Sequence, residues 1–280
     1  MAQKLNFIEL GADRYQPDSA FTYANNRDYE LDQRNLAFFV GLVALGMPVV
    51  MWAGTRLGVC FYDSISHFYY AQFLGGIFIA MLVFIGTFML AYRGQNPSEN
   101  LLATLAGFCA LAVALFPTSG RGCEIEQFSG RALADFVLAD TDEFVTVVPA
   151  SPGNTYFELF KGADILHFVS AALLFAFLAY YSFCVFTRVI DEKHCRNGGT
   201  VKPQKRKRNR IYRVSGALIL LSILAILINA VADFAWWNPN NLTFWFETLA
   251  LWAFGFSWMV KGRFFGMALL DEDEMQKSDQ

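Results

Sequence analysis

Apolar residues gather into six long runs along this chain, and polar residues collect between them. The runs are Leu36–Ala53, Phe68–Tyr92, Leu101–Phe116, Ile165–Thr187, Val214–Trp237 and Leu242–Val260. A helix rises about 1.5 Å per residue, so roughly 20 apolar residues cross the ~30 Å hydrocarbon core of a bilayer. Most of the runs reach that length. The third is short because Pro117 ends it, which predicts either an earlier start or a thinned stretch of membrane. Pro48, inside the first run, predicts a kink that neighbouring helices would tolerate. The pattern therefore predicts an all-α fold, a six-helix transmembrane bundle over residues 36–262. A polar arm (1–35) precedes it and an acidic tail (263–280) follows. The arm lacks an apolar core and does not read as a cleavable signal peptide.

Composition agrees. Of 280 residues, 55% are hydrophobic, 16% aromatic and only 17% charged. Soluble domains carry about 25% charged residues, which disfavours an ordinary cytosolic enzyme, and the same figures exclude disorder, collagen-like repeats and a small disulfide scaffold. Charge distribution sets the orientation. The N-terminal arm, 93–100, 188–213 and 261–280 together hold 18 Lys and Arg, against 4 in the opposite flanks. Cationic flanks stay cytoplasmic, which predicts both termini inside and, in a prokaryote, an inner-membrane location. The cluster Lys205, Arg206, Lys207, Arg208, Arg210, Arg213 dominates the count. It reads first as a topology signal on a cytoplasmic loop, and secondarily as a site for anionic lipid; no nucleic-acid module accompanies it.

Cys60 and Cys123 fall on the outer side, where disulfides persist, and are candidates for a bridge tying the first outer loop to the long one at 119–163. That long loop predicts a short helix near Arg131–Leu138 and a β-prone run at Phe144–Val148, together capping the bundle.

Ionisable side chains inside membrane spans are costly and mark functional sites. Here they recur near the outer ends of four spans. The second opens on Asp63, Ser64 and His67, and the fourth on Asp164 and His167. The fifth ends on Asn229 and Asp233, and the sixth carries Glu247 one turn in. Helical spacing puts each set on one face. Glu247 and Asp233 lie deepest; Asp63 and Asp164 lie nearest the interface. Two imidazoles with carboxylates suit zinc or another divalent ion, with His67, His167, Asp233 and Glu247 as the ligand set. A lipid head group or a partner protein suits the same layer, and bis-histidine haem through His67 and His167 is a further reading. The bland alternative is two self-contained pairs, Asp63–His67 and Asp164–His167. The inner halves of the spans lack ionisable groups, which disfavours a transport pathway. Trp52, Trp236, Trp237 and Trp245 near the outer interface and Trp258 near the inner one read as an aromatic belt. Gly75, Gly76 and Gly86 favour close helix packing.

Phe116-Pro117-Thr118, Leu166-His167 with Ala171-Ala172-Leu173-Leu174-Phe175, and Ser64-Ile65-Ser66 resemble a prokaryotic six-span membrane family of unknown function, itself similar to the Frag/DRAM-type proteins. Those include a factor that remodels the lipid of GPI anchors. The resemblance implies a fold and a link to lipid. Ser64 with His67 is also similar to the Ser-x-x-x-His element of the seven-span hydrolases that include alkaline ceramidases and adiponectin receptors. The spacing is one residue short, and the closing His-x-x-x-His pair of that superfamily is absent. The function expected is lipid or partner binding in an accessory role, alone or as a homo-oligomer. A metal-dependent lipid hydrolase is the alternative, with its catalytic residues unassigned.

Overall fold

The computed structural model describes residues 27–94, 97–116, 118, 134–137, 146–149, 163–189 and 201–262. Six long helices account for nearly all of them: α1 (Arg27–Arg56), α2 (Gln72–Ala91), α3 (Pro97–Leu115), α4 (Ala163–Tyr180), α5 (Pro203–Ala232) and α6 (Leu242–Lys261). Each packs on the next in sequence, and α1 packs on α6, so the six close into a ring. α1 runs unbroken through Pro48. α3 starts at Pro97, four residues before the apolar run, because proline at a first helical turn needs no N–H partner. α4 passes into a π-helical turn, Tyr181–Val185.

Five of the helices, all but α6, are long and apolar enough to cross a membrane. α6 carries Glu247 and three tryptophans, which lower its hydropathy, yet it is lined with buried residues from Phe244 to Val260 and sits between α1 and α5. Backbones approach closely where glycines face each other. A Cβ on Gly41 would lie 2.6 Å from the Gly255 carbonyl oxygen, and one on Gly255 2.7 Å from that of Gly41. Gly86 and Gly107 join α2 and α3 in the same way, whereas Gly76 faces open space. Outward faces carry large apolar side chains such as Phe39, Phe73, Phe108, Ile165, Leu221 and Val231, all exposed. Exposed apolar surface on this scale fits lipid and not water.

Three expectations are corrected here. The second helix begins at Gln72, not Phe68; a 3₁₀ turn, Ser66–Tyr70, precedes it and ends at the extended Ala71. The fifth begins at Pro203, taking the basic cluster out of a loop and into a helix, and ends at Ala232. In the long loop at 119–163, Ala134–Val137 is a strand and not part of a helix; it pairs antiparallel with Thr146–Pro149, in register Ala134↔Pro149 to Val137↔Thr146. The β-prone run at 144–148 is thus borne out for Thr146–Val148, and pairing gives both strands' backbone groups their hydrogen bonds.

Candidate polar site

At the end of the bundle where α1 finishes and α2 begins, residues 57–71 fold across the start of α6. The Phe244 N–H donates to the Asp63 carbonyl at 2.8 Å, fixing this turn to α6. Phe68, Tyr62 and Phe61 pack their rings around Phe244 and each other, giving the turn an aromatic floor. Burial pushes the Tyr62 hydroxyl up to a pKa of about 12.

Glu247 receives two donors from this turn. The Ser64 hydroxyl lies 2.9 Å from each carboxylate oxygen, and the Ile65 N–H donates to Oε2 at 2.6 Å. The Ser66 N–H in turn donates to Ser64 Oγ at 3.2 Å, orienting the hydroxyl. His67 pairs through Nδ1 with the Asp63 carboxylate. Both Asp63 and His67 lie within electrostatic range of Glu247. His67 also lies within electrostatic range of His167, which is buried in α4.

His167 does not spend its Nδ1 on Asp164. That nitrogen donates to the Phe116 carbonyl at 2.5 Å, where α3 has ended and its last carbonyls have no partner within the helix. Two residues on, the buried Thr118 offers its carbonyl to the Tyr70 hydroxyl at 2.8 Å. Carbonyl and carboxylate oxygens only accept, so both histidines use Nδ1 as the donor. In the neutral ring of His67 that leaves Nε2 as the acceptor.

Of the seven residues expected to share one layer, the structure joins four at the 57–71 turn and α6, Asp63, Ser64, His67 and Glu247, and places His167 within electrostatic range of His67. Asp164 lies in the first turn of α4, half-buried, and caps its own helix through the Ile165 N–H at 2.8 Å. Asp233 is exposed. It is the left-handed C-cap of α5, φ 46°, so the helical spacing that would align it with Asn229 ends at that residue. The ligand set His67, His167, Asp233 and Glu247 is therefore not assembled, and no group of three or more His, Cys, Asp or Glu among the described residues is arranged to hold a metal ion. Of the two local pairs, Asp63–His67 forms. The Asp63–His67 proximity comes from the 3₁₀ turn rather than from one face of α2. The Ile65 N–H and the Phe116 carbonyl are essential to the geometry and had no side-chain signal to reveal them.

Cys60 carries a disulfide rather than a thiol, while Cys109 and Cys184 are free. Cys123, its expected partner, lies outside the described residues, and no disulfide joins two described residues.

A second polar layer, unforeseen in the sequence, occupies the opposite end. Buried Glu99 in the first turn of α3 pairs with Arg188, and the Tyr181 hydroxyl donates to the Glu99 carbonyl at 2.6 Å. Lys205 and Arg208, read as loop cations, are buried. Trp258 is not a belt residue either. It is fully buried among Phe88, Tyr92, Phe186 and Phe254. Trp237 is buried too, stacked on Phe246, whereas Trp52, Trp236 and Trp245 are exposed as a belt requires. Comparison of the chain with protein-family models, with curated proteins and with solved structures finds no match.

Proposed function

We propose that this chain is a six-span integral membrane protein with both termini in the cytoplasm. Its layer of Asp63, Ser64, His67, His167 and Glu247 binds the head group of an outer-leaflet lipid in an accessory, non-catalytic role. One observation carries the reading. His67 has Nδ1 committed to the Asp63 carboxylate, so its neutral form has an Nε2 acceptor left over, beside the carboxylates of Asp63 and Glu247, while His167 is held by the Phe116 and Val113 carbonyls. A layer this rich in acceptors suits a head group that donates, through an ammonium or hydroxyls. Its position one turn from the end of the bundle is head-group depth. A Cys60–Cys123 bridge would hold the outer loop over this site. The weak resemblance to lipid-linked six-span proteins points the same way.

The hydrolase reading draws less support. It needs a metal to activate water, and its ligand set of His67, His167, Asp233 and Glu247 is not assembled among the described residues. The test is lipid extraction from the detergent-purified protein, with elemental analysis and an absorption spectrum on the same sample. We expect lipid at stoichiometric level in the wild type, and roughly tenfold less in His67→Ala and Glu247→Gln, the cost of one charge-assisted contact. Equal lipid in all three overturns the reading. Stoichiometric zinc or manganese would put the hydrolase in its place, and iron with a Soret band would put haem there. A co-purifying protein in place of lipid would make the site a partner interface.

A further inference from the structure

The basic cluster is built into a helix, and the helix sorts it by face. Lys205, Arg208, Asn209 and Tyr212 are buried, while Arg206, Lys207, Arg210 and Arg213 are exposed. The buried face is fastened. Lys205 Nζ donates to the Phe186 carbonyl at 2.9 Å and Asn209 Nδ2 to the Thr187 carbonyl at 2.8 Å. These bonds tie the first turns of α5 to the end of α4, so the outward cations are presented in fixed register. Among the described residues no carboxylate pairs with any of the four.

The same stripe continues as an apolar one. At about 100° per residue, Arg210, Arg213, Leu220, Leu224, Ile228 and Val231 all fall within about 40° of Arg206 around the helix. The four apolar residues in that set are exposed. Val214 to Val231 covers about 25 Å of helix, close to the ~30 Å hydrocarbon thickness, and the cations occupy the next ~10 Å, where head groups lie. Arg206, Arg210 and Arg213 stand one turn apart, so the oxygens of one phosphate can reach two guanidinium groups.

We propose that this stripe of α5 is a binding site for the phosphate of an anionic phospholipid, whose acyl chains lie along the apolar continuation of the same face. A nucleic acid would satisfy the cations but not that continuation. The inference rests on the membrane-spanning reading but not on the polar layer at the other end of the bundle, and the two are tested with different residues.

The experiment is native mass spectrometry of the detergent-solubilised full-length protein titrated with phosphatidylglycerol and with phosphatidylcholine. The wild type is expected to retain phosphatidylglycerol at least roughly tenfold better, as several juxtamembrane cations acting together allow. The quadruple variant Arg206→Gln, Lys207→Gln, Arg210→Gln, Arg213→Gln should retain the two lipids equally. A triple Arg→Lys variant at 206, 210 and 213, which keeps the charge but not the fork, should keep a reduced preference. High salt on the unaltered protein reads the same loss with no mutation to disturb folding. Equal retention of both lipids by the wild type would overturn the proposal. So would a preference that survives the quadruple substitution, or displacement of phosphatidylglycerol by a short RNA.

Discussion

Glu247 holds the turn at 63–66 against α6 by accepting from two groups, the Ser64 hydroxyl and the Ile65 N–H. Glu247→Ala would leave both donors without an acceptor, whereas Glu247→Gln keeps an oxygen for Ile65. An unsatisfied buried donor costs about 1–3 kcal/mol, and the site is only partly buried, so the alanine variant should lose about 1–3 kcal/mol in all. The glutamine variant should lose less than about half of that. Thermal unfolding of both in one detergent checks the order, and equal melting temperatures would show that the carboxylate is not the acceptor. Tyr62 gives the same turn a pH dependence. Its folded-state pKa of about 12 lies above the value of about 10 that an unfolded tyrosine has. The folded protein thus keeps the proton that the unfolded chain releases, and the contribution of Tyr62 to stability is constant below about pH 10 and is lost between about 10 and 12. Tyr62→Phe should flatten that part of the alkaline unfolding profile; an unchanged slope would mean that Tyr62 is not the group responsible.

At the scale of elements, close approach of α1 and α6 depends on facing glycines. A Cβ at Gly41 would meet the Gly255 carbonyl oxygen at 2.6 Å, and backbone cannot swing aside as a flexible side chain can. Gly41→Val should therefore force the two helices apart and destabilise the protein by about 1–3 kcal/mol, while Gly46→Val, with nothing near it, should not. Matched melting curves for the two variants test this. The helices themselves were legible because span length follows directly from apolar run length; α6 is observed at Leu242–Lys261 against a reading of 242–260. Helix ends were less legible, since they depend on capping and tertiary contacts. Asp233 looked like an inward carboxylate by helical spacing, but a left-handed cap at that residue ends the spacing. Lys205 and Arg208 looked like loop cations, because a polar run before a span does not reveal that neighbouring helices will cover one of its faces. The core of the site was legible in Asp63, Ser64, His67, His167 and Glu247, as costly side chains at one depth. Its backbone partners at Ile65 and Phe116 were not, because every residue has an N–H and a C=O and the sequence does not say which are left over.

The whole molecule is a ring in which α6, the helix of lowest hydropathy, is gripped between α1 and α5. A helix shielded by neighbours on two sides can carry Glu247 and buried Ser257 without presenting them to lipid, which is what a crossing at a hydropathy too low for a lone span requires. Five spans or six is therefore decided by whether α6 crosses fully, and side-specific labelling reads this directly. In a cysteine-free background, Leu57→Cys and Asn240→Cys, both at exposed positions at the site end of the bundle, should react with a membrane-impermeant maleimide from the same side. Pro203→Cys, exposed at the start of α5 and separated from Leu57 by three crossings, should react from the opposite side. A cysteine placed in the tail beyond Gly262 should behave like Pro203→Cys. If it labels with Asn240→Cys instead, α6 returns to the side it started from. The chain would then span five times with its tail on the same side as the polar layer, and the 18-to-4 division of Lys and Arg would no longer describe its orientation.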